Sequence, residues 1–98
     1  MSDLRETDVL EIGREAAARL LGAASVQHVS VVARPDSTDD PAYYFMIVAD
    51  QDPDGREASR RRGALGMAIR DALIERGDET YPYIRIVDRA DWGKVMGA

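Results

Sequence analysis

The chain has 98 residues, no Cys, 45% hydrophobic and 32% charged residues, and a formal net charge of −5. That is one globular domain with room for a single core, and it excludes disulfides, thiolate chemistry and Cys-based zinc sites. The acidic balance argues against non-specific binding of DNA or RNA along a phosphate backbone, and no apolar run approaches a membrane span.

The charged start of the chain lacks the apolar stretch of a secretory signal, so a cytoplasmic location is expected. Residues 1–6 and 93–98 read as flexible termini of a single domain. Twelve of the thirteen basic residues are Arg, a bias that fits a GC-rich genome.

The first element is an amphipathic helix from about Asp8 to Leu21. Asp8 and Glu11 have the spacing of a capping box. Val9, Ile12, Ala16 and Leu20 repeat at helical period, Leu21 widens the stripe, and Gly22 is placed to end it. Val26 to Arg34 is β-branched and alternating, which predicts a strand with Val29, Val31 and Ala33 on one face. Pro35 to Pro41 is turn chemistry. Tyr43 to Ala49 is apolar on both faces and reads as the best-covered strand, paired antiparallel with the first.

The loop Asp50-Gln-Asp-Pro-Asp-Gly55 leads into a second helix that runs to about Arg76, with Asp54 and Glu57 again at capping-box spacing. Ala58, Leu65, Ile69, Ala72 and Leu73 form its apolar stripe, and Gly77 stops it. Gly63 and Gly66 lie inside this helix, each costing up to about 1 kcal/mol against Ala, and predict a kink or a close contact. Tyr81 to Val87 is the last strand, with Ile84 and Ile86 toward the core and Pro82 marking an edge. The order is α-β-β-α-β. A helical return makes the second and third strands parallel, so the fold class is α+β, a mixed three-stranded sheet with both helices on one face.

Four groups of residues could carry chemistry. Asp50, Asp52 and Asp54 with Gly55 copy the first half of an EF-hand calcium loop, but Arg61 stands where the bidentate Glu is needed. A solvated loop whose last Asp caps a helix is the favoured reading of the pattern, with a divalent-cation site as the alternative. The Asp36, Asp39 and Asp40 cluster cannot join it, because seven strand residues, about 23 Å, separate the two. Arg56, Arg60, Arg61 and Arg62 could grip a phosphate or RNA, though four nearby carboxylates sum with them to zero and favour ion pairs on a solvated face. His28, the single histidine, falls near the end of the second strand, where Asp50 could make it a pH-sensitive contact.

Tyr44, Tyr81 and Tyr83 fall on the face opposite the helices, accompanied by Arg34 and Arg85, and Trp92 follows the last strand. Aromatics on an open sheet face suit a protein interface or base stacking. No convergent catalytic set is visible and no cofactor motif is present. The expected role is a non-catalytic interaction domain with a protein partner or a second copy of itself.

One family resemblance bears on this. The element order resembles the type II KH-like fold of ribosome-binding factor A, a bacterial small-subunit assembly factor. Ala64-Leu65-Gly66 stands where that family has its Ala-x-Gly kink, followed by Ile69-Arg70 and a closing Tyr81-Pro82-x-Ile84-Arg85. The resemblance covers most of the chain in topology and about twenty residues in sequence. It implies an RNA or ribosome partner. The acidic charge departs from that family's basic surface, and fold does not carry function with it.

Overall fold

The computed structural model describes residues 5–50 and 55–89. The first helix, α1, spans Glu6–Ala17 and opens into a π-helical turn over Ala18–Gly22. It starts two residues earlier than the capping pattern suggested. Asp8 is therefore not the cap but the third helical residue, and its carboxylate accepts the Arg5 backbone N–H at 3.0 Å. Strand β1 runs Val26–Pro35 and β2 runs Pro41–Ala49; helix α2 covers Gly55–Glu75 and β3 covers Tyr81–Asp88.

The sheet order is β1-β2-β3, with β1 antiparallel and β3 parallel to β2, as the sequence predicts. Central β2 sends Phe45, Ile47 and Ala49 toward the helices, where they meet Val9, Ile12 and Ala16 of α1 and Leu65, Ile69 and Leu73 of α2. The i, i+4, i+8 spacing of those three α2 residues puts them on one stripe, and all three are fully buried.

Two expectations fail for stated reasons. Leu20 is 39% exposed, and Ala17 is buried in its place, because the π turn rotates the chain past the helical period. α2 runs through Gly63 and Gly66 as one element rather than two. The close approach lies in α1 instead: a Cβ on Gly13 would sit 2.7 Å from Cε1 of Phe45.

The exit of α2 is a Schellman turn. Gly77, at φ +81°, donates to the Ile74 carbonyl, and the Asp78 N–H reaches back to Leu73 at 2.9 Å. Asp78 is then fixed over the end of β2. Its carboxylate accepts the Tyr43 hydroxyl at 2.5 Å and the Thr80 N–H at 2.9 Å. No helix among the described residues is long and apolar enough to cross a membrane.

Candidate interaction face

Both helices lie on one side of the sheet, so alternate residues of all three strands face away from them. Register aligns these in rungs: Arg34, Ala42 and Tyr81; then Val32, Tyr44 and Tyr83; then Ser30, Met46 and Arg85; then His28, Val48 and Val87. Period-two alternation alone delivers this grouping, since one residue's shift would send every tyrosine to the other face.

The first two rungs form an aromatic cluster. Tyr44 and Tyr83 stack with centroids 5.1 Å apart and planes 13° from parallel. Tyr81 meets Tyr83 edge-on at 4.8 Å, and the Arg34 guanidinium lies 4.5 Å over the Tyr44 ring. Val32, on the same rung as the stacked pair, is 53% exposed. The far end of the face is closed, with Val48 and Val87 buried.

The turn between β1 and β2 reaches over this cluster. Asp36 Oδ1 accepts the Thr38 N–H at 2.9 Å, its hydroxyl at 2.7 Å and the Asp40 N–H at 3.1 Å. Asp39 completes the bend at φ +63°, a conformation that Asp tolerates better than most residues. Asp36 Oδ2 is left to accept the Tyr83 hydroxyl at 3.1 Å, across the width of the sheet. The hydrogen bonds from Thr38 hold the Asp36 carboxyl below its usual range, and the bond to Asp36 raises the Tyr83 phenol. Both shifts keep a protonated donor against an ionised acceptor.

The remaining candidates lie elsewhere. His28 is exposed on the same face but on the last rung, opposite Val48, beyond the aromatic cluster. Asp50 is at the other end of the sheet from Asp36, and its carboxylate faces Arg89 at 3.9 Å. Asp52, Asp54 and Trp92 lie outside the described residues. Among the described residues no three His, Cys, Asp or Glu side chains are grouped to hold a metal ion. Arg56 belongs to the first turn of α2. Further along, Arg60 and Arg62 are exposed and Arg61 is half-buried.

The structure brings together Tyr44, Tyr81 and Tyr83, and adds Asp36. The sequence reading weighed Asp36 only as part of an acidic cluster with Asp39 and Asp40 and did not connect it with the tyrosines. The available signal was Asp36-x-Thr38, a pattern in which the carboxylate caps its own turn and leaves one oxygen over.

No family model matches the chain, and no curated protein matches it in sequence. In fold it is similar to a solved structure titled as the copper form of the MamM CTD, with a TM-score of 0.58, 20% identity and 85% of each chain covered. At that identity the likeness concerns architecture alone.

Proposed function

We propose that this chain is a non-catalytic interaction domain that binds protein through its helix-free sheet face, and that the occupant is a second copy of itself. The observation that carries this reading is the Val32–Tyr44–Tyr83 rung, where stacked rings and an exposed β-branched residue lie beside a ring-bound arginine. Aromatic side chains and Arg are the residues enriched at interface cores. Among the described residues, the perturbed proton affinities are accounted for by turn hydrogen bonds at Asp36, by burial and then the Asp78 hydrogen bond at Tyr43, and by the Asp36 hydrogen bond at Tyr83, not by a reacting centre.

Self-association follows from the charges around the rings. A two-fold axis along the rungs, between the Val32 rung and the Arg34 rung, reverses strand direction in the second copy. The tyrosines of both copies then oppose one another, and Arg85 of each copy falls near the acidic Asp36 to Asp40 turn of the other. The closed end of the face stays outside this contact. The copper in the neighbour's title belongs to that structure, and a likeness at 20% identity carries no metal role to this chain.

Sedimentation velocity across a concentration series tests the reading. The wild-type chain should dimerise, and Val32→Lys should shift it to monomer with an unchanged circular dichroism spectrum. A wild-type chain that stays monomeric at high concentration ends the proposal.

A second reading rests on Arg60 and Arg62, which project from the helix carrying Ala64-Leu65-Gly66 and make no ion pair among the described residues. They could contact phosphate in an RNA or ribosomal partner, as the KH-like resemblance implies. Co-sedimentation with ribosomal subunits at low salt, lost on Arg60→Glu, would support it; no co-sedimentation would remove it.

A further inference from the structure

Helix α2 carries two stripes of unlike character. Leu65, Ile69 and Leu73 form the buried one. Gly63, Met67, Arg70 and Ile74 form another, at intervals of four, three and four residues, and all four are exposed. That interval is the seam spacing by which one helix packs on a second. Single exposed apolar side chains are ordinary on a protein surface, but here Met67, Ile74 and Tyr81 are grouped.

Between this stripe and the start of β3 runs an open groove of about 280 Å³, lined by Arg62, Gly63, Gly66, Met67, Arg70 and Tyr81. The two glycines explain why it is open. A Cβ on Gly63 would meet nothing within 4 Å, and one on Gly66 would meet Cγ1 of Ile84 at an ordinary 3.8 Å. Together they keep the helix wall low, and small side chains at a contact let a second helix axis come close. Met67 stands 70% exposed beside them, a flexible side chain of the kind that adapts to a docked partner. Tyr81 also borders the cleft that follows, where Ile74 continues the apolar line.

The charge of the groove runs against that of the chain. Arg62 and Arg70 are exposed and pair with no carboxylate among the described residues, in a protein of net charge −5. Arg70 lies 5.8 Å from the centre of the Tyr81 ring. Eight helical residues, about 12 Å at 1.5 Å each, separate the two arginines. Past Ile74 the sign changes, with Asp78 and Glu79 on the wall of the cleft.

We propose that this groove is a docking site for an amphipathic helix of another protein, apolar along one stripe and acidic at one end. Attachment is by side chains alone. Apolar residues at seam spacing lie over Gly63, Met67 and Ile74, and carboxylates about two turns apart meet Arg62 and Arg70. The end that passes Ile74 carries no carboxylate, since Glu79 stands there. A nucleic acid fits less well, because Met67 and Ile74 offer its phosphates nothing and the acidic end repels them.

Fluorescence anisotropy of the full chain tests this with two labelled, end-capped probes. The first is Glu-Leu-Ala-Ala-Leu-Glu-Ala followed by Gln-Leu-Ala-Ala-Leu-Gln-Ala, and the second has Lys for each Glu. The acidic probe should bind, with amide shifts gathered at Gly63, Gly66, Met67 and Arg70. The double variant Arg62→Glu, Arg70→Glu should weaken the acidic probe by about tenfold or more and gain the lysine probe, since rim charges set partner choice. The gained binding shows that the variant is folded. Equal binding of both probes overturns the proposal, as does equal binding of a scrambled acidic probe whose leucines lose the seam spacing. Absence of binding by the acidic probe also overturns it, and binding of an oligouridylate in its place assigns the groove to nucleic acid. Val32→Lys, on the far edge strand, should leave the acidic probe's affinity unchanged, so this outcome is independent of the dimer test.

Discussion

The two helices cover the same side of the same sheet, but they do so at different distances and by different means. α1 comes down onto Phe45 so closely that only a glycine fits at position 13. α2 is held off by the full side chains of Leu65, Ile69 and Leu73; of its own glycines Gly63 faces open space, and a Cβ on Gly66 would meet Ile84 only at an ordinary 3.8 Å. Their exits differ too. α1 loosens into a π turn, closed when the Ser25 hydroxyl donates to the carbonyls of Leu21 at 2.6 Å and Gly22 at 3.0 Å. α2 stops in one step and is tied to β2 through Asp78 and Tyr43. A glycine in a helix thus has two opposite meanings here: in α1 it is what packing demands, and in α2 it is what keeps a surface accessible.

The largest expected effect breaks the α1 side of this contrast. Gly13→Ala gains roughly 1 kcal/mol in helix propensity. Against that, the added methyl enters the space of a ring that is itself buried and cannot step aside. Overpacking of this kind costs about 1–3 kcal/mol, so a net loss in stability by chemical denaturation is expected. Phe45→Leu removes the ring atoms that clash. The double variant should therefore be more stable than the sum of the two single changes allows, and a double-mutant cycle measures that coupling.

The α2 exit gives the next effect. Asp78 is 5% exposed, and the Tyr43 hydroxyl is one of its hydrogen-bond donors. Tyr43→Phe removes that donor and should cost about 1.5 kcal/mol, the range for hydrogen bonds to charged groups. Burial, and then the hydrogen bond to Asp78, push the Tyr43 phenol up from 10.0 to about 12. A raised folded value means that the neutral phenol is the favoured form. The stabilisation is therefore complete below pH 10 and drains away as pH rises toward 12. Alkaline denaturation of Tyr43→Phe should be flatter across that window, with the remaining slope following Tyr83, whose phenol is raised by Asp36. An unchanged slope would show that the Tyr43 hydroxyl does not stabilise the fold through Asp78.

Much of the architecture was legible because period carries it. Alternation from His28 to Arg34 and from Tyr81 to Val87 placed the open-face residues, although an irregularity between Val26 and His28 turns Val26 to the core instead. The double-sided apolar run at Tyr43 to Ala49 identified the central strand. The tie between Asp36 and Tyr83 was not legible, because it joins residues 47 positions apart across a strand that neither belongs to. Gly13 was missed for a related reason. Composition marks glycines as helix breakers wherever they fall, so the pair at 63 and 66 drew notice while the single one at 13 did not. Which glycine is in contact depends on what lies opposite, and only the sheet register supplies Phe45.

The smallest predicted effect has the opposite sign, and it separates the two meanings most directly. At Gly63 the helix loses backbone entropy on folding without gaining close contact, since nothing lies within 4 Å of the position a Cβ would take. Gly63→Ala should therefore stabilise the chain by up to about 1 kcal/mol, the intrinsic advantage of Ala in an exposed helix interior. A melting transition raised by Gly63→Ala and lowered by Gly13→Ala would show that the same substitution reports packing in one helix and only propensity in the other. If Gly63→Ala destabilises instead, the helix closes on that position in solution, and the groove along β3 is narrower than its glycines make it.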